Sequence, residues 1–128
     1  MPAHYKMSVG QGPHAGLVFG VLELLIIAIE ATSMAFLRKS VMGHGSTRWA
    51  ALGVAGYAVV AGVFREVLRL APMAKANALW DAGSIVLVTF VGKFIYKEKY
   101  TSLQWAGVAF AVAAVLCMIG PELVPNKV

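Results

Sequence analysis

Cysteine is nearly missing from the chain: Cys117 is the single one, and it lies inside an apolar run. A disulfide framework is therefore excluded, and the redox compartment stays open. Charge is scarce too. Asp, Glu, Lys and Arg make up 13% of the 128 residues while 59% are hydrophobic, against about 25% charged in an ordinary soluble domain. A chain so poor in charge reads as an integral membrane protein. The alternation of strands is lacking, as are a glycine-rich nucleotide loop and a metal-ligand cluster. His4, His14 and His44 fall in tails or loops and are expected to be solvated. No nucleophile–base pair is discernible, so neither an enzyme nor a cofactor is expected. The first sixteen residues, MPAHYKMSVGQGPHAG, lack the basic, apolar and small-residue succession of a cleaved signal. An uncleaved first span is expected instead.

What is present is organised around Leu17 to Leu37, LVFGVLELLIIAIEATSMAFL. At ~1.5 Å per residue this run reaches about 31 Å, close to the ~30 Å hydrocarbon core of a bilayer. It carries two acids, Glu23 and Glu30. Glu30 falls about 20 Å into the segment, too deep to escape by snorkelling. A carboxylate at such depth is costly, so it is expected to face a bundle interior or a water-filled cavity. Glu23 lies about 9 Å from the segment start, where it can reach the interface. The seven-residue spacing sets the two acids within about 20° of one face, with Met34 and Leu37 continuing the stripe.

The first span closes at Arg38-Lys39, and a loop rich in Gly and Ser follows. A second span is expected over about 49–70, where Gly53 and Gly56 permit close helix approach. Arg65, Glu66 and Arg69 at its far end have the spacing of end charges with a local ion pair. Pro72 breaks the helix and is a candidate hinge. The third span, about 74–96, holds Asn77, Trp80, Asp81 and Gly83 within two turns, and Gly83 is a second candidate hinge or close-packing site. The fourth, about 103–119, is uncharged and is expected to end before Gly120-Pro121. Ala106, Gly107, Ala111 and Ala114 give it a strip of small side chains suited to helix packing. The domain organisation is thus a polar tail over 1–16, a membrane domain over 17–120 and a short tail over 121–128. The fold class is an all-α integral membrane bundle of four transmembrane helices.

The net charge of +5 does not point to nucleic acid, because the basic residues flank span ends and meet headgroups there. The tails and the second connection hold Lys6, Arg65, Arg69, Lys75 and Lys127. The first and third connections hold Arg38, Lys39, Arg48, Lys93, Lys97 and Lys99. Five against six leaves almost no basic excess to orient the chain. Such balance is the signature of copies that insert both ways, and chance also produces it.

Four short spans, a mid-membrane Glu in the first, and the run Ala-Leu-Trp-x-x-Gly-x-Ile-Val-Leu in the third resemble the small multidrug resistance family of the drug/metabolite transporter superfamily. The resemblance covers Gly16 to Gly120. It rests on Glu30 followed eight residues later by Arg38, on Tyr57 in the second span, on Pro72 eight residues before Trp80, and on Gly107 and Ala114 at heptad spacing in the fourth. The chain departs from the family pattern at Asn77, where an aromatic is usual, at Asp81, usually small and polar, at Ala82 and at Ala114, both usually glycine.

The resemblance implies an antiparallel homodimer, packed through Gly107, Ala111 and Ala114, that exports small organic cations (quaternary ammonium, guanidinium-like or polyamine) in exchange for protons. Desolvation disfavours an ionised carboxylate, and a second copy's Glu30 acts the same way. A cation favours the ionised form, so protons and cations compete for one site. Trp80 and Tyr57 would supply ring faces for the cation, and Tyr57 a hydrogen bond to Glu30. Each also has a plainer reading as packing or interface anchoring, and Glu30 as a structural acid. Asp81 either pairs with Lys75 or adds a second acid to the cavity, which would favour a polyamine. Asn77 and Glu23 complete the candidate proton and cation site. The competing expectation is a non-transporting accessory subunit among unlike membrane partners, supported by the changes at Asn77 and Ala82. The membrane is expected to be a bacterial inner membrane or an organellar one.

Overall fold

The computed structural model describes residues 14–123, with side chains through residue 120. The start of the polar tail, with His4 and Lys6, and the last five residues, with Lys127, lie outside the described residues. Four helices follow in order: α1 (Ala15–Ser40), α2 (Thr47–Val67), α3 (Met73–Phe94) and α4 (Ser102–Leu123). They form an all-α membrane bundle in which α1 packs on α2 and on α3, and α4 packs chiefly on α3.

Two boundaries differ from the sequence reading for clear local reasons. α2 ends at Val67 rather than Leu70, because Arg69 and Leu70 donate to the carbonyls three residues back and tighten the chain into a turn before Pro72. α4 runs on through Gly120-Pro121 to Leu123, where an end before Gly120 was expected. A proline forfeits one ladder hydrogen bond without ending a helix, a loss that membrane helices in particular tolerate. Residues 121–123, assigned to the tail from the sequence, are therefore helical, as are Ala15 and Gly16 at the other end.

α1, α2 and α4 are each long and apolar enough to cross a membrane. α3 matches them with 22 residues but carries Lys75, Asp81 and Lys93. The buried centre is small: Ile26, Val60, Val67 and Ala76, ringed by Phe19, Phe64 and Trp80 among others. Many large apolar side chains face outward instead, Leu103 at 82% exposure and Phe110 at 77%. In water such a surface would aggregate; against lipid tails it is the appropriate solvent-facing surface.

Glycines set how closely α1 meets its neighbours. A side chain on Gly53 would enter Leu37, and one on Gly56 would collide with Ser33 Oγ. These two positions let α1 and α2 close into a tight antiparallel hairpin. Gly83 plays the same part on α3, where an added Cβ would run into Ile27 of α1. The helix continues unbroken through Gly83, so here it acts as a close-packing position. Pro72 stands just ahead of α3 as its N-cap, and Ala76 donates to its carbonyl at 3.1 Å.

One end of the bundle is collared by cations on aromatic rings. Lys39 Nζ lies 3.7 Å from the centre of the Trp49 ring, and Lys93 Nζ lies 4.4 Å from that of Trp105. Tyr96 donates to the Ala35 carbonyl at 2.7 Å, and Arg38 pairs with Glu98 at 3.6 Å. Aromatic and basic residues in such company mark a membrane–water interface. At the other end Glu66 pairs with Arg65 at 3.2 Å and with Arg69 at 3.4 Å.

Candidate functional site

Glu30 sits mid-way along α1, on the side turned to α2 and α3, and three donors converge on its carboxylate. Trp80 Nε1 donates to Oε2 at 2.6 Å, the Ser84 hydroxyl donates to the same oxygen, and the Tyr57 hydroxyl reaches Oε1 at 3.5 Å. Trp80 and Ser84 are one helical turn apart on α3, so both meet the same oxygen. The Trp80 ring is held in place by Phe64 of α2, with ring centres 4.9 Å apart. A carboxylate supplied with this many donors inside an apolar bundle is anchored rather than stranded.

The carboxylate also faces open space. A groove of about 420 Å³ runs beside it, lined by Glu30 and Met34 of α1 and by Asp81, Ser84, Ile85 and Val88 of α3. A smaller groove of about 200 Å³ shares Met34 and Val88 with it and leads on to Arg38, Tyr96 and Glu98. Two acids, Glu30 and Asp81, thus line one groove that has apolar walls and a charged outlet.

The structure gathers some of the sequence candidates and separates others. Glu30, Tyr57 and Trp80 come together. Asn77 does not reach Glu30; its Nδ2 donates to Asp81 Oδ2 at 2.7 Å and so holds the second acid in place. Asp81 itself lines the groove beside Glu30. Glu23 stays away from the interface: it is 5% exposed, neither carboxylate oxygen has a hydrogen-bond partner, and it lines a different cavity from Glu30. The reason is the shared face itself, since the stripe that turns Glu30 inward turns Glu23 inward as well. On α4, Gly107 and Ala114 are exposed whereas Ala111 is buried within the protomer. Ser84 is the site residue that sequence reasoning missed. Its signal was its position one turn after Trp80, on the same face.

Fold and site together define a four-helix membrane protein with an anchored carboxylate opening onto a groove. No family model and no solved structure matches the chain. Among curated proteins it is 31% identical over 93 residues to multidrug transporter PA4990 of Pseudomonas aeruginosa, an alignment covering 72% of this chain and 84% of that protein. The chain belongs to the family of that multidrug transporter.

Proposed function

We propose that this protein is a proton-coupled exporter of small organic cations, of the small multidrug resistance type. It works as an antiparallel homodimer that crosses a bacterial inner membrane four times per copy. The observation that carries the reading is the Glu30 carboxylate, fed by Trp80, Ser84 and Tyr57 and open to a groove large enough for a small ligand. A structural acid would have its oxygens satisfied and sealed; this one is satisfied and accessible. A proton or a cation neutralises it in turn. Ring faces of Trp80 and Tyr57 lie within reach of a cation drawn to the carboxylate. Asp81, fixed by Asn77, adds a second negative charge along the groove and favours polyamines and other doubly charged amines. Kinship with a multidrug transporter supports a carrier over an accessory subunit.

The test is proton release from purified protein on addition of guanidinium, tetramethylammonium or a polyamine, with Glu30→Gln alongside. Release from the wild type that disappears in the variant is the expected result. Folded, dimeric protein that releases no proton with any of these cations would overturn the proposal.

A further inference from the structure

We infer that the end of the bundle carrying Trp49 and Trp105 is a docking surface for anionic phospholipid, which it takes through Arg48, Lys97 and Lys99. This goes beyond the exchange proposed at Glu30 and does not depend on it.

Contacts between neighbouring elements gather all four helices at this end. Lys39 of α1 lies on the Trp49 ring of α2, Arg38 of α1 pairs with Glu98 just after α3, and Lys93 of α3 lies on the Trp105 ring of α4. Six bases meet one acid here, and that acid is occupied. Glu98 is shared between Arg38 and the Tyr100 hydroxyl, which donates to it at 2.9 Å. Lys39, Arg48, Lys93, Lys97 and Lys99 are left without an ion-pair partner among the described residues. At the opposite end Arg65 and Arg69 share Glu66 instead.

Two of the five bases fix the depth of the others. Lys39 and Lys93 rest on indole faces, and Trp rings settle at the headgroup level of a bilayer. A ring orients an ammonium ion and leaves its full charge in place. Arg48 adjoins Trp49 in the chain, and Lys97 and Lys99 flank Glu98, so these three exposed bases stand at the same level. The compensating charge has to come from outside the protein, and at headgroup depth the abundant anion is lipid phosphate. A zwitterionic head carries its own cation beside the phosphate and cancels most of the gain. A head with net negative charge keeps it, which selects anionic lipid.

The backbone at Lys97 is an independent sign. Among the described residues Lys97 alone, apart from glycine, has a positive φ, at 53°. The chain turns back there, with the Glu98 amide donating to the Gly92 carbonyl at 3.0 Å. Glycine makes such a turn without steric cost, whereas a lysine is strained in it. A base thus occupies a position that the turn alone would give to glycine, and its charge supplies the reason.

The test uses full-length protein in nanodiscs of mixed lipid. A Trp80→Phe parent retains Trp49 and Trp105, both at this end, as fluorescent reporters. Their quenching by brominated phosphatidylglycerol in plain phosphatidylcholine is compared with quenching in the reverse mixture. At low ionic strength phosphatidylglycerol should be preferred beside the reporters by about tenfold or more, and high salt should shrink that preference. Adding Lys97→Gly relieves the turn, so Tm should equal or exceed that of the parent while the preference falls by about fivefold, one charge's worth. Arg48→Gln with Lys97→Gly and Lys99→Gln should bring the two lipids close to parity. Equal quenching in the parent, or a preference unchanged in Lys97→Gly or retained in the triple variant, would overturn the inference. Abolition of the preference by inorganic phosphate at constant ionic strength would assign the surface to a free anion and overturn it as well.

Discussion

Replacing Trp80 with Phe isolates one atom's contribution to the site. The ring that packs on Phe64 is largely kept, and the Nε1–H that reaches Glu30 Oε2 at 2.6 Å is lost. A hydrogen bond to a charged group contributes about 1.5–3 kcal/mol, and about 1.4 kcal/mol is tenfold in an equilibrium constant. Ser84 donates to the same oxygen and offsets part of the loss, so the lower end of the range, about tenfold, is the expected size. The sign follows from what the donor serves: under the exchange proposed above the cation binds the carboxylate, and Trp80 is a donor to that carboxylate. Tetramethylammonium binding at a fixed neutral pH should therefore weaken by about tenfold in Trp80→Phe. Ser84→Ala should act in the same direction, and the double variant more than either. An affinity that is unchanged or improved in folded Trp80→Phe would mean that Glu30 is not where the cation binds.

Other positions give sharp outcomes. Gly83→Val forces a side chain onto Ile27 and should destabilise the bundle by about 1–3 kcal/mol, seen as a lower Tm in detergent and partly restored by adding Ile27→Ala. Asp81→Asn should reduce the preference for doubly over singly charged amines; equal preference in wild type and variant would remove the polyamine reading. Gly107→Leu enlarges an exposed position on α4, where an added side chain meets nothing within the protomer. If the proposed homodimer packs through α4, this variant should reduce the dimer seen in cross-linking while leaving the helical circular dichroism unchanged. The Arg38–Glu98 pair is half-exposed, with a 3.6 Å separation; a double-mutant cycle there should return a coupling of less than about 1 kcal/mol.

Hydropathy alone made the bundle legible, because about twenty apolar residues have few alternatives to a spanning helix. The end of α4 was not legible in the same way: a Gly-Pro pair is a strong stop signal in water and a weak one in a membrane helix. Within the site, Glu30 announced itself by depth, and Tyr57 and Trp80 by resemblance to a known pattern. Ser84 went unseen because a serine in an apolar helix bonds its own backbone as readily as a neighbour, as Ser33 does here. Glu23 was misjudged because distance from a helix end was weighed above direction. Depth says how far a charge lies from water, whereas the face it shares with Glu30 decides whether it can turn there. The partner of Asn77 was available at i+4 spacing and needed no tertiary information.

The carboxylate of Glu30 is also a fastener. Its donors come from α2 and α3 while it rides on α1, and the glycine seam at Gly53 and Gly56 already binds α1 to α2. The bonds from Trp80 and Ser84 are therefore the polar stitches between a rigid hairpin and a third helix. A guest that takes the lone pairs of Oε2 must share or sever those stitches. A proton on Oε2 would take one of the same lone pairs, so the attachment of α3 to the hairpin and the occupancy of the carboxylate draw on one small set of acceptors.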